Sequence, residues 1–112
     1  MGIPRIPQAF YGTVTIDGEP APEGTVVRAI GPWIMEDSWG GNPFVLREEG
    51  KLGGDGGFDP KMCLQDQHGQ GEIGWFYFVV GQRVAQYRAP NDEWRYARFF
   101  ESGEVTEIEL RV

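Results

Sequence analysis

The chain has one cysteine, Cys63, and one histidine, His68, and serine occurs only at Ser38 and Ser102. A lone cysteine excludes an internal disulfide and any zinc site built from several thiolates. A nucleophile–base pair needs a histidine near a serine, threonine or cysteine. His68 falls in a turn bounded by glycines, and no thiol-protease or hydrolase signature surrounds Cys63. Ser38 and Ser102 have no G-x-S-x-G context. No catalytic residue is assigned, and Cys63 is expected to be a buried, inert thiol.

Other absences narrow the class further. No apolar run reaches the roughly 18 residues of a membrane span. The first residues, MGIPRIPQAF, lack an apolar signal-peptide core. That fits a cytoplasmic protein, or the mature or trimmed form of an exported one. Basic residues are outnumbered 10 to 17, for a net charge of −7, and they are scattered. A nucleic-acid binder needs a basic stripe to replace counterions, so nucleic acid is not an expected partner. Gly53 to Gly57 lacks the G-x-x-x-x-G-K-[ST] pattern and no helix follows it, so no phosphate loop and no cofactor are expected. Helical periodicity is missing throughout.

What is present points to strands and turns. Gly 17 and Pro 8 suit short strands better than helices, which both residues break. The 112 residues, 40% hydrophobic and 24% charged, suit one globular domain. In FYGTVTIDGEPAPEGTVVRA, residues 10–29, Val14 and Ile16 alternate with Thr13 and Thr15, and Asp17-Gly18 is a turn signal. Pro20 and Pro22 stiffen the connection. The strand that follows sets Val27 and Ala29 on one face and Val26 and Arg28 on the other. Residues 71–85, GEIGWFYFVVGQRVA, read as a central strand and a glycine turn. Residues 99–112, FFESGEVTEIELRV, close the chain with Ile108, Leu110 and Val112 facing in and Glu107, Glu109 and Arg111 facing out.

These three stretches resemble the small β-sandwich modules of the carboxypeptidase regulatory-like and transthyretin-like families, found in bacterial and archaeal surface and secreted proteins. The resemblance implies an all-β fold, an immunoglobulin-like (prealbumin-like) antiparallel sandwich of about seven strands. It implies a structural or protein-binding role at a cell surface or in an extracellular assembly, with no shared catalytic residues to carry over. A hydrolase of transthyretin-like shape is the least favoured alternative.

The remaining segments carry the candidate sites. Residues 1–9 read as an extended arm preceding a domain of residues 10–112. Trp33, Trp39 and Phe44 either cap the end of the sandwich or stand exposed as a glycan platform, and Trp94 belongs to a second aromatic cluster. Asp55, Asp59 and Asp66 flank a glycine-rich loop as weak calcium candidates without EF-hand spacing. Residues 60–66 read as a strand with Met62 and Leu64 on one face. Val84 to Arg88 is expected to pair with Arg95 to Phe99 as a long hairpin. The strand 72–80 is apolar on both faces. Ile73, Trp75, Tyr77 and Val79 are assigned to the core, with Val14, Ile16, Val27, Ala29, Ile108 and Leu110. Phe76, Phe78 and Val80 then form an outer patch. With Ile3, Ile6 and Phe10 of the arm, that patch is the expected contact with a protein partner or a second copy, in an oligomer or a filament. The alternative is that residues 31–45 fold over the same face within one chain.

Overall fold

The computed structural model describes residues 8–32, 34, 41–65, 75–99 and 104–112. They form strands and turns with no helix, arranged as two sheets around one core. The elements are β1 (Gln8–Ile16), β2 (Glu19–Pro20), β3 (Val26–Ile30), β4 (Phe44–Val45), β5 (Lys51–Leu52), β6 (Met62–Leu64), β7 (Trp75–Val80), β8 (Arg83–Val84), β9 (Gln86–Arg88), β10 (Ala97–Phe99) and β11 (Val105–Arg111).

The larger sheet is built on β1. On one side β1 runs parallel to β11 from Ala9↔Val105 to Thr15↔Arg111, and β9 continues beyond β11. Parallel pairing of the two ends departs from the all-antiparallel sandwich expected. On its other side β1 meets β2, β5 and β6 in turn, all antiparallel. Asp17 and Gly18 form the expected turn, both with positive φ, 52° and 84°, as a two-residue turn matched to strand twist requires. Contrary to the reading of Pro20 as part of a connection, Pro20 belongs to β2 and pairs with Thr15, and β3 lies in the other sheet. The smaller sheet has the order β10-β7-β3-β4, with β8 returning on β7. β1 begins at Gln8, so Gln8 and Ala9 of the expected arm belong to the sandwich, and residues 1–7 lie outside the described residues.

Between the sheets, Phe10, Val14, Val27, Ala29, Phe76, Phe78, Val80, Ile108 and Leu110 are buried. Phe10, Phe76 and Phe78 meet edge to face, with ring centres 5.4–6.0 Å apart, the geometry aromatic quadrupoles favour. This reverses the expected faces of β7. Phe76, Phe78 and Val80 point inward, whereas Trp75 and Tyr77 are exposed and Val79 is half-exposed. The physical reason lies in the rings. A phenyl group has no polar atom to satisfy, while the indole N–H and the phenol O–H can stay in contact with water. Ile73 lies outside the described residues.

The Gly12 position fixes how closely the end strands approach. It sits opposite Ile108 with φ 148°, and a Cβ there would lie 1.7 Å from the Ile108 carbonyl oxygen. A second device closes the free edge of β3 beyond the reach of β4. Asn42 is buried, its Oδ1 accepts from the Ala29 amide at 2.9 Å, and its Nδ2 donates to the Ala29 carbonyl at 3.0 Å. One side chain thus does the work of a neighbouring strand.

Candidate interaction surface

The two sheets present different outer faces. On the larger sheet the outward residues of β9 and β11 satisfy one another: Arg88 pairs with Glu109, and Arg111 Nε donates to Gln86 Oε1 at 2.9 Å. Trp94 covers them, with the Arg111 and Arg88 guanidinium carbons 4.0 Å and 4.4 Å from its ring centre. Trp94 is therefore half-buried under cation–π contacts and does not stand out as a platform.

The outer face of the smaller sheet is apolar. Trp75 is 61% exposed and Tyr77 37%, with Val79 completing the row along β7. Val84 lies opposite Val79 and Ala97 opposite Tyr77, while Ile30 and Arg28 of β3 flank the other side. Val45 extends the patch beyond Val26 at 50% exposure. Arg28 has no hydrogen bond or ion pair among the described residues. An antiparallel sheet with one solvated face normally alternates polar outward residues, and this one does not.

A cleft of about 350 Å³ continues the patch past Trp75, lined by Tyr87, Ala97, Arg88, Arg95 and Arg98 among others. Its shape follows from residues 82–100, which do not form the expected long hairpin. β8 and β10 join β7 in the smaller sheet, while β9 joins β11 in the larger one. Among the described residues a bridge between Tyr87 and Arg95 is what remains of the hairpin's ladder, with both backbone bonds at 2.8 Å. The Tyr87 hydroxyl ties the segment to the Ala97 carbonyl at 2.9 Å. Crossing between sheets leaves the cleft open at that edge. Arg98 points inward, its guanidinium 5.1 Å from the Phe10 ring and 5.6 Å from the Tyr87 ring. Arg95 is exposed, and its side chain has no partner among the described residues.

The expected contact residues fall elsewhere. Phe10, Phe76, Phe78 and Val80 are core and offer no surface, because their side chains fill the space between the sheets. Phe44 is also no platform: it pairs with Val27 across β3–β4 and shares its inward direction. Ile34, Asn42 and Phe44, from the segment named as the alternative cover for that patch, are buried as well. Ile3, Ile6, Trp33, Trp39, His68, Ser38, Ser102 and Asp66 lie outside the described residues. Asp55 and Asp59 join no group of three or more potential metal ligands among the described residues, and Asp59 Oδ2 accepts from the Gly56 amide at 2.9 Å. Cys63 is half-buried rather than buried, since it alternates outward between Met62 and Leu64. Burial raises its thiol pKa, and Lys61 opposes that only in part, so the unreactive thiol is the favoured form at neutral pH.

Among the described residues no helix is long and apolar enough to cross a membrane. Comparison with protein-family profiles, with curated proteins and with solved structures gives no match.

Proposed function

We propose that this protein is a non-catalytic binding module that engages a protein partner through the outer face of its smaller sheet. The observation that carries the reading is the outward row Trp75, Tyr77 and Val79 with Val84 and Ala97 beside it. Aromatic residues at the centre of such a patch are the usual energetic anchors of protein interfaces. The edges are less suited to partners. Asn42 occupies the free edge of β3, and the Tyr87–Arg95 bridge occupies that of β9, so strand addition finds few open backbone groups there. The family resemblance adds a location, the cell surface or an extracellular assembly.

The test compares wild type with a Trp75→Ser/Tyr77→Ser variant as immobilised baits for proteins of the native source. The variant is expected to melt close to wild type and to lose the partner. A partner retained equally by both would overturn the reading. A glycan reading moves to Trp75, the most exposed of the described tryptophans. Glycan-dependent change in its emission, abolished by Trp75→Ser, would favour sugar over protein.

A further inference from the structure

β5 and β6 are one strand interrupted. Lys51 and Leu52 pair with Thr13 and Gly12, and Met62 to Leu64 resume on Phe10 to Gln8. Opposite Tyr11 the partner strand leaves the sheet as a loop of residues 53–61. The loop is closed at its base and held in shape. The Gly54 amide donates to the Pro60 carbonyl at 3.1 Å, and a Cβ on Gly53, where φ is 65°, would lie 2.0 Å from the Pro60 oxygen. Lys61 Nζ donates to the Gly56 carbonyl at 2.6 Å. Compact surface loops with adjoining ends are frequently functional.

At its tip Phe58 is 106% exposed, flanked by the exposed carboxylates Asp55 and Asp59. It is the most exposed large apolar side chain among the described residues, and a loop tied by its own hydrogen bonds presents it. The loop hangs from the β5/β6 edge of the larger sheet. The Trp75–Arg95 cleft opens beside β9, at the opposite edge. One edge thus carries an aromatic knob between acids. The other carries a cleft of mixed lining, with Trp75, Tyr87 and Ala97 beside arginines and acids. There the Arg95 guanidinium has no partner among the described residues; the chain's net charge is −7.

We infer that the 53–61 loop of one copy docks into the Trp75–Arg95 cleft of the next. Phe58 enters against Trp75, Tyr87 and Ala97, and Asp55 or Asp59 meets Arg95. The cleft of about 350 Å³ is large enough for one phenyl ring, and pairing a carboxylate with guanidinium fixes the orientation. Asp92 and Glu93 also line the cleft, and the Asp92 carboxylate accepts from the Glu93 amide at 2.8 Å. Because knob and cleft are different surfaces on opposite edges, the contact is heterologous and propagates as a filament or ring. Two-fold stacking of the smaller sheets is less favourable, since it brings the Arg28 side chains of both copies, which have no counter-charge among the described residues, onto one apolar interface. The inference rests on the binding-module reading and adds that one partner is the protein itself.

Sedimentation velocity on the full chain tests it with Phe58→Ser and Arg95→Glu, both exposed positions where folding is not at stake. Wild type is expected to grow beyond a dimer as its concentration rises toward about 1 mM, the range of a weak contact. Each variant alone stays monomeric. Mixed together they form dimers and stop, because Phe58→Ser keeps its cleft and Arg95→Glu keeps its knob. A monomeric wild type, a variant that assembles like wild type, or a mixture that stays monomeric each overturns the inference. If wild type is monomeric yet a foreign partner still needs Trp75 and Tyr77, the binding-module reading stands and this inference alone fails.

Discussion

The outer faces of the two sheets differ in how their side chains are satisfied. On the larger sheet, Arg88, Glu109, Arg111, Gln86 and Trp94 close on one another and leave little for a partner. On the smaller sheet, Trp75, Tyr77, Val84 and Val45 face solvent, and Arg28 has no counter-charge among the described residues. The lesson is that a β-sandwich advertises binding through what its surface leaves unsatisfied. The count of aromatics or charges is less informative, since the larger sheet has both.

The largest expected effect sharpens the contrast between inside and outside. Gly12→Ala places a methyl group on the Ile108 carbonyl at the join of β1 and β11. We expect a loss of at least about 4 kcal/mol, the range of the most severe single substitutions. Chemical denaturation with less than about 1 kcal/mol of loss would show that the two end strands are not in this register. Next comes the pair on β7. Phe78→Ala is expected to cost about 3–5 kcal/mol as a core aromatic, while Trp75→Ala costs under about 1 kcal/mol as an exposed one. Equal losses from the two would erase the distinction between the faces.

Asn42→Ala leaves the Ala29 amide and carbonyl without their side-chain partner, at about 2–4 kcal/mol on the usual cost of buried unsatisfied groups. A change below about 0.5 kcal/mol would mean that the edge of β3 is closed in another way. Trp94→Ala removes the lid from Arg88 and Arg111 and is expected to cost about 1–2 kcal/mol. It should leave partner binding intact, and loss of binding would move the interaction surface to the larger sheet. The smallest effect concerns Cys63. Its raised thiol pKa means that the thiolate is scarcer in the native protein than in the unfolded chain at neutral pH. Labelling of the native thiol should be slower than in denaturant and should speed up with pH until the raised pKa is passed. Equal rates at pH 7 would show the thiol to be unshielded.

Much of this was legible in the residues. Asp17-Gly18 announces its turn, Val27 and Ala29 their inward face, Ile108 and Leu110 theirs, because alternation there sets apolar against polar. The β7 face was not legible by alternation, since both faces of 75–80 are apolar. The cue is chemical: phenylalanine and valine on one parity, tryptophan and tyrosine mixed into the other. The parallel β1–β11 pair joins the two ends of the chain, and nothing local encodes so distant a partner. The strand interrupted at 53–61 reads as a simple glycine loop, because only the register on β1 shows that Leu52 and Met62 continue one line. The division of 82–100 between two sheets was hidden for the same reason.

Hydroxyl-radical footprinting of the dilute protein, repeated with its partner bound, reads the outer row directly. The account predicts that Trp75 and Tyr77 are modified in the isolated chain while Phe76 and Phe78 are spared, and that binding protects Trp75 and Tyr77. Trp75 and Tyr77 already protected in the dilute monomer, or unprotected in the complex, would contradict it.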